Sequence, residues 1–145
     1  MNILTDILAR MSISPGKTFG EAIAESTGGA NLVDGKQTWE LAESKRDDFE
    51  AMKKCCAAEL VTYEKLRLVP APYYFERVAI LARKVKNFRE EVAWCEKYIA
   101  VVADYYRKNN IPENQGVKMG PSYQAIVRRL PKARLLLGQE STATL

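Results

Sequence analysis

Along residues 88–108 apolar side chains recur on two tracks at once. Phe88, Val92, Cys95, Ile99, Val102 and Tyr106 step by 4, 3, 4, 3 and 4, and beside them Trp94, Tyr98, Val101 and Tyr105 step by 4, 3 and 4. One track suffices for a surface helix, so two predict a helix packed on two sides, against its own chain or against a partner. The same spacing predicts a helix over 48–67 through Phe49, Met52, Cys56, Leu60 and Tyr63, with Asp48 as its N-cap. Val69-Pro70-Ala71-Pro72 stops that helix and opens the next, 72–85, because proline suits a first helical turn. Lys86-Asn87 reads as a tight turn. A shorter helix is expected over Lys36–Lys45, ended at Arg46-Asp47-Asp48. After a loop over 109–116, a last helix starts near Pro121 or Ser122 and turns Tyr123, Ile126, Val127, Leu130, Ala133 and Leu137 to one side. Pro131 is expected to kink or split it, since an interior proline costs ~3 kcal/mol. Residues 138–145 are expected to fray.

The first 35 residues differ from this body. Ile3, Leu4, Ile7, Leu8 and Met11 have helical spacing over 2–11, and Ser14-Pro15-Gly16 breaks the pattern. A short helix follows at about 18–26 with Phe19, Ala22 and Ile23 inward, ended by Thr27-Gly28-Gly29. This arm carries a net charge of −2 in a chain of net +4, which leaves +6 on the remainder. Its first helix is expected either to dock on the core or to make a homodimer contact.

No stretch alternates as a strand does, so the class is all-α, with an irregular arm over 1–35, a helical domain over 36–137 and a tail over 138–145. The 145 residues are enough for one domain with a buried core. The chain has no histidine, which excludes Ser-His-Asp and Cys-His catalysis, zinc sites with histidine ligands and histidine pH switching. Cys55, Cys56 and Cys95 make a poor disulfide framework and read as small buried hydrophobes of a cytoplasmic protein. No apolar run reaches the ~18 residues of a membrane span, and the N-terminus does not read as a signal peptide.

Residues 39–49 can be laid over 78–88 at an offset of 39: a shorter helix, a tight polar turn, a phenylalanine (Phe49, Phe88) and a long helix. Such duplicated hairpins build α-solenoids. Within the second unit Phe75, Val78 and Ala79, then the turn before Phe88, resemble a tetratricopeptide repeat. Glu91 stands where that repeat has a small residue, Ala82 where it has an aromatic, and the closing proline is missing. The last helix looks like the extra helix that caps such arrays. The resemblance spans roughly 36–137 and implies a scaffold that binds proteins or peptides. It implies groove positions at Tyr73, Glu76, Ile80, Arg83 and Lys84 in the second hairpin and at Gln37, Leu41, Ser44 and Lys45 in the first. Lys45, Arg83 and Lys84 could pair with a partner's carboxylates.

Other candidate chemistry is thin. Gly16-Lys17-Thr18 ends like a phosphate loop, but the earlier glycine is Met11 and no strand precedes it. Asp47-Asp48 and Glu90-Glu91 fall in helix first turns, where acids complement the helix dipole. The reading is therefore a non-catalytic adaptor or regulator without cofactor or metal. It would bind through the groove or through the aromatic stripe Trp94, Tyr98 and Tyr105. The alternative is a small nucleic-acid-binding regulator that uses the late basic cluster Arg107, Lys108, Arg128, Arg129, Lys132 and Arg134.

Overall fold

A computed structural model describes residues 18–143. Among them are six α-helices: α1 Phe19–Ser26, α2 Thr38–Leu41, α3 Phe49–Leu66, α4 Pro72–Lys84, α5 Phe88–Asn109 and α6 Pro121–Ala143. A 3₁₀ turn, Gly116–Met119, precedes the last. No strand forms among the described residues. The helix expected over 2–11 and the assembly role given to it lie outside them.

The helix starts have local causes. Asp48 accepts from the Ala51 amide at 3.0 Å, Asn87 from Glu90 at 3.2 Å and Thr18 from Glu21 at 3.1 Å, so each side chain satisfies a donor that the first turn leaves open. Pro72 opens α4. Arg67 and Asn110 close α3 and α5 in the left-handed conformation. With these ends set, α4 packs on α3, α5 and α6, and α5 packs on α4 and α6. The two-sided helix of the sequence is therefore packed within its own chain. Its buried residues Cys95, Tyr98, Val102 and Tyr106 share one core with Phe75, Val78 and Ala79 of α4 and Ile126 and Leu130 of α6. Met52, Cys55 and Cys56 of α3 complete that core, and all three cysteines are buried as expected. A smaller cluster, Ala22 and Leu66 with Ile23 and Leu68, attaches the arm.

Several expectations change. The helix read over Lys36–Lys45 is one turn, Thr38–Leu41, because residues 43–48 are polar and exposed with nothing to bury. The first of the two proposed hairpins thus lacks a full first helix. Phe19, expected inward, is 44% exposed, and α1 is held by Ala22 and Ile23 instead. Pro131 does not split α6, and the helix runs on to Ala143 through the segment expected to fray. Pro131 and Val127, whose carbonyl loses the proline's missing amide, are both exposed, so water can serve that carbonyl. In the arm, Asp34 and Gly35 both have positive φ, and Val33 and Lys36 exchange backbone hydrogen bonds of 2.8 and 2.9 Å across them. This is the primed two-residue turn that Asp-Gly favours. It sets Val33 into the main core.

Candidate functional site

The connector between α3 and α4 is held from two sides. Tyr98 of α5, fully buried, donates its hydroxyl to the Pro70 carbonyl at 2.7 Å. Glu59 of α3 accepts from the Ala71 amide at 3.3 Å through one oxygen and from the Thr38 hydroxyl at 2.8 Å through the other. One carboxylate thereby ties α2, α3 and the connector together. Above it opens a cleft of about 360 Å³ between the arm and the helical body. Glu59, Thr62 and Asn31 supply its polar surface, and Ile23, Leu68 and Val69 its apolar wall. Phe19 and Trp39 also line it, and Trp39, 68% exposed, is the most exposed large apolar residue among those described.

The rim is set by Gln37. Its side-chain oxygen accepts from the Trp39 indole N–H at 2.6 Å, and its backbone amide donates to Glu40 at 2.8 Å. Gln37 lies so close to α1 that a Cβ on Gly20 would sit 2.0 Å from its Oε1. A side chain at position 20 would make the Gln37 amide swing aside. Burial pushes the Glu59 carboxyl above the usual carboxylate range, against the opposing effect of the Thr38 and Ala71 hydrogen bonds. Glu59 is the single charged residue in the lining, and no lysine or arginine joins it there.

The residues singled out from sequence scatter around this site. Gln37 lies on the cleft. Tyr73 donates its hydroxyl to the Ala42 carbonyl at 2.7 Å, so it braces the 42–48 turn. Lys45 and Lys84 are exposed, and Ile80 is half-buried. Trp94 lies edge-on to Phe75 at 6.0 Å and, with Leu60, Ala93 and Lys97, lines a shallow depression. Tyr105 lies edge-on to Tyr63 at 6.4 Å. Tyr98 is in the core, so the stripe Trp94, Tyr98 and Tyr105 is not a continuous exposed surface.

Arg83 joins a different constellation. Glu91, read as an acid of a helix first turn, is fully buried. Arg83 Nε donates to its Oε1 at 3.0 Å, and Arg129 Nε to its Oε2 at 3.1 Å. Arg83 Nη2 also lies 2.7 Å from Oε2 and donates to the Arg129 carbonyl at 3.3 Å. The triad bolts α4, α5 and α6 together. The other basic candidates are partly neutralised. Asp104 pairs with Arg107 at 2.7 Å and Lys108 at 3.1 Å, and Glu96 pairs with Arg134 at 3.1 Å. Arg128 and Lys132 are exposed on α6.

Burial also suppresses the nucleophiles. It pushes the Cys55 and Cys95 thiols up to about 11 and Cys56 further still, which keeps all three protonated and unreactive near neutrality. No described helix is long and apolar enough to cross a membrane.

Sequence reasoning missed Glu59, Thr38 and Asn31. Their convergence depends on contacts between positions 21 residues apart and on the fold of the arm. The available signal was Trp39, a large aromatic in a segment with too few apolar neighbours to bury it. Comparison with known proteins finds no matching family model, no matching curated protein and no matching solved structure.

Proposed function

We propose that the chain is a non-catalytic protein-interaction module built on tetratricopeptide-like hairpins, and that it takes a segment of a partner protein in the cleft beneath Trp39. The carrying observation is the pairing of exposed Trp39 and Phe19 with a concave, partly polar floor. Exposed aromatics beside a preformed concavity are the usual anchors of an interface, since they bury much area at little cost in side-chain entropy. Support for the hairpin reading comes from α3, α4 and α5, long helices on short connections, and from α6, which packs on α4 and α5. The arm supplies one wall of the cleft beside the shortened α2. Residues 1–11, with their apolar spacing, are proposed to contact a second copy of the chain, and the setting is proposed to be cytoplasmic. The nucleic-acid alternative draws less support, because Arg107, Lys108, Arg129 and Arg134 all have acidic partners.

A displayed random-peptide library panned on the full chain tests this reading. A consensus peptide is expected to emerge, and Trp39→Ala is expected to weaken its binding at least tenfold. Trp39 is exposed, so the variant should fold as the parent does. Panning without a consensus, or a consensus indifferent to Trp39→Ala, would overturn the proposal.

A further inference from the structure

The chain has 22 lysines and arginines, yet the cleft beneath Trp39 is lined by none of them. Its charge is a single carboxylate, Glu59, half-buried at the floor. Elsewhere the structure pairs its inward-facing acid with bases: Glu91, fully buried, holds two arginines. Glu59 has two neutral donors, the Thr38 hydroxyl and the Ala71 amide, and no ion pair with a described residue is seen. Each of its oxygens keeps a further lone pair for a third donor. The rings of Trp39 and Phe19 line the same cleft, and aromatic faces attract cations. The apolar wall of Ile23, Leu68 and Val69 suits a hydrocarbon stem.

We infer that the cleft is a receptor for the alkylammonium side chain of a lysine on the partner, its stem along the apolar wall and its charge between Glu59 and the aromatic rim. This rests on the interaction reading and names the chemistry of the group that enters. Desolvation of Glu59 is consistent with it, because a carboxylate already raised by burial gains most from an arriving cation.

The lining favours a lysine over acidic and apolar occupants. An acidic or phosphorylated side chain would meet the one charge of the lining with like sign. A purely apolar side chain would leave Glu59 buried further without a counter-charge, which is costly. A lysine satisfies both the wall and the floor, with its stem covering apolar surface while its head reaches the polar end.

The probe is N-acetyl-lysine methylamide, titrated into the ¹⁵N-labelled full chain, with N-acetyl-norleucine methylamide as the uncharged counterpart. The Trp39 indole N–H signal reports the cleft, and that of Trp94 serves as the control. A saturable shift at Trp39 is expected for the lysine compound, at least tenfold weaker for norleucine and absent at Trp94. Glu59→Gln should abolish it. That variant could also loosen the Thr38 and Ala71 contacts, so Trp39→Leu, at an exposed position, is titrated too and followed at the Ala71 amide. It should weaken binding severalfold with the fold intact. Equal binding of both compounds would overturn the lysine inference and leave the interaction reading standing. A non-saturating shift, or equal shifts at both indoles, would overturn it as well. The chain's own Lys17 and Arg10 lie outside the described residues. If replacing both by alanine tightened lysine binding tenfold, the cleft would be shown to belong to a cation of this chain, which would also overturn the inference.

Discussion

Glu91→Ala should cost the fold about 3 kcal/mol, the lower end of the range for removing one partner of a buried ion pair. Two guanidinium groups lose their shared acceptor, and three helices lose the joint that holds them. The arginine side chains are 30% and 21% exposed, so each can partly turn to water, which keeps the cost from the upper end. For a chain of this length that corresponds to a fall in thermal midpoint on the order of 10 °C. Thermal unfolding followed by circular dichroism would measure it. A triple variant, Glu91→Leu with Arg83→Met and Arg129→Met, should recover much of the loss, because a well-packed apolar cluster can replace a buried charge cluster at little cost. A fall of less than about 2 °C in the single variant, well short of the usual effect of such a loss, would mean that the arginines find equivalent partners elsewhere, and that the triad does not hold the bundle.

Alkali should unfold the protein earlier than its helical content suggests. Burial first, then the hydrogen bond to Asp104, pushes the Tyr63 hydroxyl up to about 12. Burial does the same for Tyr74, also to about 12, and holds the Cys55 and Cys95 thiols at about 11. Unfolded, thiols titrate near 9 and phenols near 10, as the ordinary values of these groups do. Above those values the unfolded chain sheds protons that the folded chain keeps. Stability is therefore fully present below about pH 9 and falls as pH rises through about 9–12. Each unit of displacement is worth ~1.4 kcal/mol. Even strongly discounted, four such groups together approach the roughly 5–15 kcal/mol that stabilises a typical domain. Tyrosine ionisation read by ultraviolet absorbance should show a subset of the seven tyrosines titrating abruptly, together with loss of helix. A smooth titration near pH 10, the ordinary phenol value, with helix intact would refute the prediction. Tyr74→Phe should move the transition to higher pH.

What could be read from the sequence was whatever depends on neighbours within a few positions. The long helices α3, α4 and α5 begin and end within a residue or so of where the apolar steps, Asp48, Pro72 and Asn87 put them. Two tracks on α5 correctly implied packing on two sides, and the chain itself supplies both neighbours. What could not be read depends on distant meetings of polar groups. Glu91 looks like any acid in a first turn until Arg83 and Arg129, 8 and 38 positions away, arrive around it. Glu59 looks like a surface residue of α3 until Thr38 folds over it. Periodicity counts apolar positions, so it is blind to a charge buried by its partners. It also overstated the helix at Lys36–Lys45, where three apolar residues suffice for one turn and no more.

The last helix has a consequence of another kind. Ile126, Leu130 and Ala133 are its buried residues, and beyond Ala133 none is buried. Pro131 removes one backbone hydrogen bond just before that point. The final turns can therefore open on their own while the turns before Pro131 stay closed with the core. In amide-exchange terms α6 is expected to behave as two units, an inner one protected with the core and an outer one that exchanges well before it. A protease would meet the second long before the first, and could trim the chain close to Ala133 without touching the triad or the cleft.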